Sequence, residues 1–216
     1  MRRPPAGLMS ISPGDLDVAT GERFLQRMRA CVTDGDLRAI LIREPQLADG
    51  PLFALLTSVC ALREAQPELW VGVHDRPHLA LSTGADGIHL GFRSLSVAVT
   101  RLLVGRQCAI GLSTHAGDSR GRCSGADYLF HGPVHDTPSK RGLLDPLGYA
   151  GLAAFCATAE QPVWGLGGLA PEHAAALRDT GAAGAAVLRG IGAVEDPVSA
   201  CRDWQAAWRG SVEAGS

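Results

Sequence analysis

The sequence predicts an α/β fold in the form of a single (β/α)8 TIM barrel. The chain has 216 residues, a length at which one barrel domain is common. Short apolar runs alternate with amphipathic stretches, which is the pattern of repeated βα units. There are eight such runs, the number of strands in a closed barrel. We therefore expect one domain over residues 1–216, with flexible tails at 1–6 and 210–216.

The strands are predicted from short apolar runs that are bounded by turn residues. They cover residues 8–11, 37–42, 70–73, 87–89, 108–112, 128–130, 163–166 and 184–188. Helices are predicted at 22–33, 51–65, 78–83, 96–103, 171–180 and 197–208, several of them with a proline in the first turn. Residues 116–124 contain Gly117 and Gly121, so this connection is expected to be short or irregular.

A weak internal repeat supports the βα order. Gly84, Gly125 and Gly181 each follow a helical stretch and come directly before a strand, and each is followed by alanine. Glycine in this place can take the left-handed conformation that ends a helix.

Composition and charge narrow the function classes. A net charge of -2 gives no reason to expect nucleic-acid or membrane binding, and no long apolar run follows the basic first residues. The six cysteines show no Cys-x-x-Cys spacing, which favours reduced thiols over a structural zinc site. The sequence therefore predicts a cytoplasmic protein in which any anion binding is local.

The loop after the sixth predicted strand carries Thr137, Ser139 and Lys140 between two prolines, Pro133 and Pro138. Each proline fixes one backbone angle and restrains the preceding residue, so the loop is partly rigid. Two hydroxyls and an ammonium at this spacing could hold a phosphate. An ordinary solvated turn uses the same residue types, and these letters alone leave both interpretations open.

The loops after the seventh and eighth strands favour phosphate binding. In barrels of this kind, phosphate often binds at these two loops. Gly167 and Gly168 allow backbone N–H groups to approach an anion ahead of a helix. Arg189, followed by Gly190, could add a bidentate guanidinium.

Five segments in order resemble the thiamine phosphate synthase and thiazole tautomerase (TenI-like) superfamily of small (β/α) barrels. The resemblance spans roughly residues 37–208. It rests on Val73-His74-Asp75-Arg76, on the run from Ala80 to Gly91, on Gly111-Leu112-Ser113-Thr114-His115, on Gly132-Pro133-Val134 with Thr137-Pro138-Ser139-Lys140, and on Gly167-Gly168.

The resemblance implies a reaction in which a pyrimidine diphosphate ionises and a thiazole phosphate captures the cation, with Mg²⁺ on the leaving diphosphate. It implies small phosphorylated heterocycles as substrates and permits a homodimer. It also implies roles for individual residues: Arg43 and Lys140 on the diphosphate, Asp75 on Mg²⁺, Ser113, Thr137 and Ser139 around diphosphate and thiazole, and Gly168 at the thiazole phosphate.

The chain departs from the synthase pattern in four places. Of a Gln-x-Arg-x-Lys motif it keeps only Arg43, with Leu41 and Pro45 at the other two positions, and His74 replaces an asparagine. Ser94 stands where the pattern has a second metal carboxylate, which predicts weak Mg²⁺ binding. Arg189 replaces a serine.

Three functions therefore compete. The first is a divergent thiamine phosphate synthase. The second is a metal-independent thiazole tautomerase, for which His135, with His131 nearby, is the candidate proton carrier because the unperturbed pKa of histidine lies near neutrality. The third is a barrel of this type that binds another phosphorylated ligand.

Overall fold

The computed structural model describes residues 1–137 and 145–210, and only the backbone of Arg120. Eight parallel strands close into one barrel, each pairing with the next in the chain and the last with the first. This confirms the predicted (β/α)8 TIM barrel. The strands are β1 (Gly7–Ile11), β2 (Ala39–Ile42), β3 (Trp70–His74), β4 (Gly87–Leu90), β5 (Ala109–Thr114), β6 (Tyr128–His131), β7 (Val163–Leu166) and β8 (Gly184–Val187).

Helices surround the barrel. They are α1 (Val18–Asp34), α2 (Asp49–Ala61), α3 (Pro77–Thr83), α4 (Val97–Val104), α5 (Gly148–Cys156), α6 (Ala174–Asp179), α7 (Arg189–Gly192) and α8 (Pro197–Arg209). The predicted helices are all present within a few residues of their expected bounds, whereas α5 and the one-turn α7 were not predicted. Helix α5 has weak signals because it contains two glycines and has no side-chain cap at its start.

Between β5 and β6 the described chain contains a single 3-10 turn, Arg120–Cys123. This confirms the expected irregular connection. The three glycines of the repeat also behave as predicted, since Gly84, Gly125 and Gly181 have φ angles of 70°, 81° and 80°.

In two copies of this repeat, the residue after the alanine is an aspartate, Asp86 or Asp127, and it stabilises the N-terminal end of the barrel. The Oδ2 atom of Asp86 accepts a hydrogen bond from the backbone N–H of Val71 at 2.9 Å and pairs with Arg63 at 2.6 Å. Asp127 repeats the arrangement with the backbone of β5 and with Arg101. Each carboxylate thus links two neighbouring strands and satisfies a buried N–H group.

The core has two parts. One lies between the strands and the helices, and the other fills the inside of the barrel. The inner cluster consists of Met9, Ile11, Ala39, Leu41, Trp70, Ala109, Tyr128, Phe130, Trp164 and Ala186. Tyr128 makes edge-to-face contacts with Trp70 and Trp164, at centroid distances of 5.7 and 5.9 Å.

Strand glycines make room for these aromatic rings. Gly72 and Gly87 are partners in the β3–β4 register, and a Cβ atom on either would lie 2.4 Å from the ring of Trp70. Gly111 has the same function for Tyr128, whose Cζ would lie 2.1 Å from an added Cβ. The large interior rings therefore require glycine on the neighbouring strands.

Residues 1–6, for which the sequence predicts a flexible tail, contact the barrel. The carbonyl oxygen of Arg2 accepts a hydrogen bond from Nε1 of Trp70 at 3.1 Å, and the Arg2 guanidinium donates to the carbonyl of Glu68 at 2.8 Å. Pro4 is buried. The contacts arise because the buried indole needs an acceptor at this end of the barrel. The other predicted tail, 210–216, lies outside the described residues except for Gly210, which ends α8.

In the described part of the chain, no helix has both the length and the apolar character needed to cross a membrane.

Candidate functional site

A cavity of about 930 Å³ lies over the carboxyl ends of the strands. This is the end of a (β/α)8 barrel at which ligands bind. Nine of the twelve predicted site residues line it: Arg43, His74, Asp75, Ser113, Thr137, Gly167, Gly168, Arg189 and Gly190.

Three of the described arginines line the cavity. They are Arg43, Arg93 and Arg189, and none of the three forms an ion pair with a carboxylate in residues 1–137 or 145–210. Guanidinium groups are the side chains best suited to phosphate because they donate in a planar fork. Their hydrogen-bonding capacity is therefore available to an anionic ligand.

The backbone at Arg43 and Glu44 is fixed by hydrogen bonds to the loop after β1. The backbone N–H of Arg43 donates to Oγ of Ser12 at 2.7 Å. The next residue, Glu44, is 3% exposed, and its two carboxylate oxygens accept from the backbone N–H groups of Gly14 and Leu16 at 2.9 and 2.8 Å. This buried carboxylate ties the loop after β1 to the end of β2, so it fixes the place from which Arg43 reaches the cavity.

The turn after β3 holds Asp75 in an uncommon backbone conformation. Asp75 and Arg76 have φ angles of 56° and 53°, a region that side chains other than glycine rarely adopt. The N–H of Asp75 donates to the carbonyl of His89 at 3.0 Å, and Arg76 pairs with Asp49 on α2. Strained backbone of this kind is often found at functional sites, because the strain serves to orient a side chain.

His74 and Asp75 lie side by side at the cavity wall. Nδ1 of His74 is 3.3 Å from Oδ2 of Asp75, whose side chain is 40% exposed. Burial lowers the pKa of His74, an effect that the Asp75 carboxylate opposes and that Arg43 increases. The neutral imidazole is therefore favoured near pH 7.

The donor atoms near Asp75 fit a loosely held Mg²⁺ rather than a closed metal site. Within the described residues, no group of three or more His, Cys, Asp and Glu side chains could hold a metal ion. Ser94 stands where the synthase pattern has a second metal-binding carboxylate. Its Oγ accepts a hydrogen bond from the backbone N–H of Gly91 at 2.7 Å. Mg²⁺ commonly binds through one or two carboxylates and completes its shell with phosphate oxygens and water. Asp75 is consistent with that type of binding.

The loops after β6 and β7 pack on one another. Val134 and His135 donate their backbone N–H groups to the carbonyls of Leu166 and Gly167, at 2.9 and 3.1 Å. A Cβ atom on Gly168 would lie 2.7 Å from the Cβ of His135. The Gly-Gly pair is therefore needed for close backbone packing as well as for the cavity surface.

The inner wall of the cavity is apolar. Ile11, Leu41, Phe130 and Leu166 line it from four different strands. Leu41, at the position where the synthase pattern has glutamine, is 1% exposed and belongs to the inner core cluster. This wall can pack against a flat ring but cannot form hydrogen bonds with it.

Residues 8–191 match the family model described as thiamine monophosphate synthase. The chain belongs to this family. The match covers β1 from Leu8 onwards, the other seven strands and every described part of the cavity, which confirms the resemblance drawn from the sequence motifs.

Curated relatives carry the same name. The thiamine-phosphate synthase of Laribacter hongkongensis is 43% identical over 132 residues, which are 61% of this chain and 63% of the relative. That of Moorella thermoacetica is 32% identical over 184 residues, 84% of this chain and 87% of the relative. A bifunctional thiamine biosynthesis protein of Symbiobacterium thermophilum is 39% identical over 79% of this chain, but the chain spans only 36% of its length.

Solved structures share the fold. A thiamine phosphate pyrophosphorylase from Pyrococcus furiosus superposes with a TM-score of 0.79 at 22% identity, covering 95% of this chain and 96% of the other. A 3-hexulose-6-phosphate synthase from Salmonella typhimurium gives 0.64 at 15% identity, covering 94% and 98%. At such identities the likeness concerns the barrel alone.

Two of the predicted family residues, Ser139 and Lys140, lie outside the described residues. Thr137, directly before Pro138, lines the cavity. The predicted anion-binding loop is therefore described up to its first hydroxyl.

His135, the predicted catalytic residue, packs beside Tyr149 and His173, and its catalytic role stays a prediction. Its Nε2 atom is 3.2 Å from the hydroxyl of Tyr149, and its ring lies 4.6 Å from the ring of His173. His135 is not among the described residues that line the large cavity. The physical reason is the packing of the two loops, because the Cβ of His135 rests on Gly168 and the ring extends towards α5.

His131 also lies away from the predicted site. It is buried, stacks on Phe155 at a centroid distance of 3.6 Å, and its Nδ1 is 2.8 Å from Oγ1 of Thr114. It faces a separate cavity of about 340 Å³ between the barrel and α5, lined also by His115 and Asp118.

Sequence reasoning missed His89 as a site residue. His89 is 2% exposed, lines the cavity, and is hydrogen-bonded to Ser113 at 2.8 Å through Nε2 and to Tyr128 at 3.3 Å through Nδ1. Burial lowers its pKa well below the usual histidine value. The available signal was a histidine on the inward-facing side of an otherwise apolar strand, two residues after Gly87.

Proposed function

We propose that the protein is a thiamine phosphate synthase, which joins a pyrimidine diphosphate to a thiazole phosphate and releases diphosphate. The observation that carries the proposal is the cavity at the carboxyl ends of the strands, where Arg43 and Arg189 reach a shared space without carboxylate partners among the described residues. Two phosphorylated substrates need such cations. Family membership and the names of the curated relatives support the same reaction.

The proposed reaction breaks one bond and forms one. The C–O bond between the pyrimidine methylene and the diphosphate breaks, and the electron pair leaves with the diphosphate oxygen. The lone pair of the thiazole nitrogen then forms the new C–N bond. In this scheme the residues of the site form no covalent bond with the substrates. They stabilise the charges that separate when the C–O bond breaks.

Stabilisation of the leaving anion falls to the cations and hydroxyls at the rim. Arg43 follows β2 and Arg189 follows β8, and these two strands are the neighbours of β1 in the barrel. The two arginines therefore reach the cavity from either side of β1. Thr137 adds a hydroxyl from the loop after β6. We further propose that Ser139 and Lys140 complete this set.

Asp75 is the proposed protein ligand for Mg²⁺. The metal would neutralise charge on the leaving diphosphate. The Asp75 carboxylate, held by its strained turn, would be the protein ligand, and substrate phosphate and water would complete the coordination shell. A single carboxylate predicts weak binding of the free ion and tighter binding in the presence of diphosphate.

The apolar wall suits the cationic intermediate. Leu41 and Phe130 offer carbon surface, and Phe130 adds an aromatic ring. Water excluded by this surface cannot capture the cation before the thiazole nitrogen does.

The tautomerase alternative needs a histidine that can carry a proton at the ligand. His135, its candidate, faces Tyr149 and His173 instead. Tautomerase activity is therefore the second outcome to be tested, and binding of another phosphorylated ligand is the third.

The test is direct assay of the purified chain with both phosphorylated precursors. We expect thiamine phosphate to form with added Mg²⁺, and product formation to stop with a chelator. No product at high enzyme and Mg²⁺ concentration would overturn the proposal. Metal-independent exchange of the thiazole tautomers would then support the tautomerase, and retention of inorganic phosphate without either reaction would support another ligand.

Mg²⁺ dependence, phosphate binding, a cytoplasmic location and a homodimer stay predictions, as does the absence of nucleic-acid binding.

A further inference from the structure

Three interior residues form a hydrogen-bonded chain that ends at the cavity. Tyr128 on β6 lies 3.3 Å from Nδ1 of His89 on β4, and Nε2 of His89 lies 2.8 Å from Oγ of Ser113 on β5. Ser113 lines the cavity, whereas Tyr128 is fully buried.

The barrel is built to allow this chain. Gly111 is the register partner of Tyr128, and a Cβ atom there would lie 2.1 Å from the phenol ring. Without that Cβ, the ring can cross β5 and reach His89. Phe130 stacks on the imidazole at a centroid distance of 4.0 Å and limits its rotation.

The buried phenol of Tyr128 determines which atom of each pair in this chain carries the hydrogen-bonding proton. The only partner of the Tyr128 hydroxyl among the described residues is Nδ1 of His89. A buried O–H without an acceptor is costly, so the phenol donates and Nδ1 accepts. Burial raises the pKa of Tyr128 and lowers that of His89, which keeps the phenol protonated and the imidazole neutral.

A neutral imidazole with an unprotonated Nδ1 carries its proton on Nε2. That N–H donates to Oγ of Ser113. The serine proton must then point elsewhere, and Ser113 has no second side-chain partner in the described part of the chain. The cavity is the remaining direction.

We propose that Tyr128 and His89 are positioning residues that present the Ser113 hydroxyl to the ligand as a hydrogen-bond donor. The ligand atom opposite Ser113 must therefore be an acceptor, either a phosphate oxygen or an unprotonated ring nitrogen, and an amino group is disfavoured there. The link to catalysis rests on the proposed synthase function, but the proton order does not.

Nitrogen NMR of the ligand-free protein tests the proton order. In uniformly ¹⁵N-labelled protein, we expect the His89 ring to show a pyridine-like Nδ1 and a pyrrole-like Nε2, with assignment from the His89→Gln variant. Tyr128→Phe removes the donor to Nδ1 and is expected to shift this signal towards a mixture of tautomers. A protonated Nδ1 in the wild type would overturn the proposal.

Kinetics test the positioning role. Loss of one well-aligned hydrogen bond corresponds to about tenfold in kcat/KM. We expect about that loss for Ser113→Ala and His89→Leu, and no further loss when the two are combined. His89→Gln keeps a side-chain N–H and should recover most of it. The proposal would be contradicted if the losses in kcat/KM multiplied in the double variant, or if His89→Gln and His89→Leu lost equal amounts of kcat/KM.

Controls distinguish an effect of the Tyr128–His89–Ser113 hydrogen bonds from a loss of folding and from a failure of the proposed function. His78→Gln, at an exposed histidine on α3, should leave the kinetics unchanged, and melting curves report whether each variant folds. If the wild type lacks synthase activity, the proposed function fails. The NMR result and a titration with inorganic diphosphate still test the proposed orientation of the Ser113 hydroxyl. A protonated Nδ1 would overturn the proposal by itself, and a lower diphosphate affinity in Ser113→Ala than in the wild type would support it.

Discussion

At the scale of single residues, Arg189 is a proposed contact for the ligand phosphate. It lines the cavity, begins α7 two residues after the end of β8 and is exposed, and it makes no ion pair with a described carboxylate. A cation held at the edge of a concave surface, with its donors free, is suited to a phosphate.

Replacement of this guanidinium tests its role. We expect Arg189→Gln to raise the KM for at least one phosphorylated substrate about tenfold, because a charge-assisted hydrogen bond is worth about 1.5–3 kcal/mol. Steady-state kinetics with each substrate varied in turn measure this. Arg106→Gln, an exposed arginine at the opposite end of the barrel, is the matched control. Equal KM values in the two variants would remove Arg189 from the site.

His89 predicts a pH effect on stability. Its pKa is lowered in the folded protein by burial, so the folded state binds fewer protons than the unfolded state. Stability is therefore complete above the unfolded-state pKa of about 6.5 and falls as the pH drops below it, by up to about 1.4 kcal/mol per pH unit.

Urea unfolding at pH 7.5 and pH 5.5 measures this slope. We expect the loss of stability on acidification to be smaller in His89→Gln than in the wild type. The exposed-site variant His78→Gln controls for the removal of one histidine. An unchanged slope in His89→Gln would show that another group is responsible.

At the scale of the elements, glycines determine how the strands can close around their contents. Gly72 and Gly87 face each other across β3 and β4, and together they leave space for the Trp70 ring. The sequence shows these glycines as weak points in strands, whereas the structure shows that packing requires them.

Gly72→Ala tests this packing. We expect a loss of about 1–3 kcal/mol in the free energy of unfolding, because the added methyl would overlap the Trp70 ring, which has no room to move. The control is Gly21→Ala within α1, where no neighbouring atom lies within 4 Å of the new Cβ. That change should stabilise by about 0.5–1 kcal/mol. Chemical denaturation compares the two, and equal effects would contradict the steric argument.

The elements differ in how well the sequence predicts them. β7 was predicted with the observed bounds because its apolar run is short and flanked by turn residues. Helix α5 was missed because Gly148 and Gly151 weaken the local signal, and its stability comes from packing Leu152 and Phe155 into the core.

At the scale of the whole molecule, the two ends of the described chain contribute to the same barrel. Residues 1–6 contact the N-terminal end of the barrel through Trp70, and α8 packs into the core between strands and helices through the buried Trp204. The side chain of Trp208 lies 3.5 Å from the position of a Cβ on Gly7, so α8 also covers the start of β1.

Removal of residues 2–5 tests how much the contact between the N-terminal segment and Trp70 contributes to stability. Nε1 of Trp70 would lose its acceptor on Arg2, and a buried unsatisfied donor costs about 1–3 kcal/mol. We expect a lower free energy of unfolding with little change in KM, because the contact lies opposite the cavity. Arg3→Ala, at an exposed residue of the same segment, should leave stability unchanged. A truncated protein as stable as the wild type would show that this contact contributes nothing.

The sequence by itself determined the barrel and the end at which the candidate site lies. Alternating apolar runs determine the strands, and parallel strands joined by helices bring the loops that carry Arg43, Asp75, Gly168 and Arg189 to one end. These properties depend on local pattern and on chain connectivity, which are present in the sequence.

Only the tertiary structure decided which side chains turn towards the ligand. His135 lies in the predicted loop but faces Tyr149, because its Cβ packs on Gly168. His89 lies inside a strand, yet it reaches Ser113 and the cavity because Gly111 gives Tyr128 room to hold it. The direction of a side chain depends on contacts between residues far apart in the chain, and the sequence does not record those contacts locally.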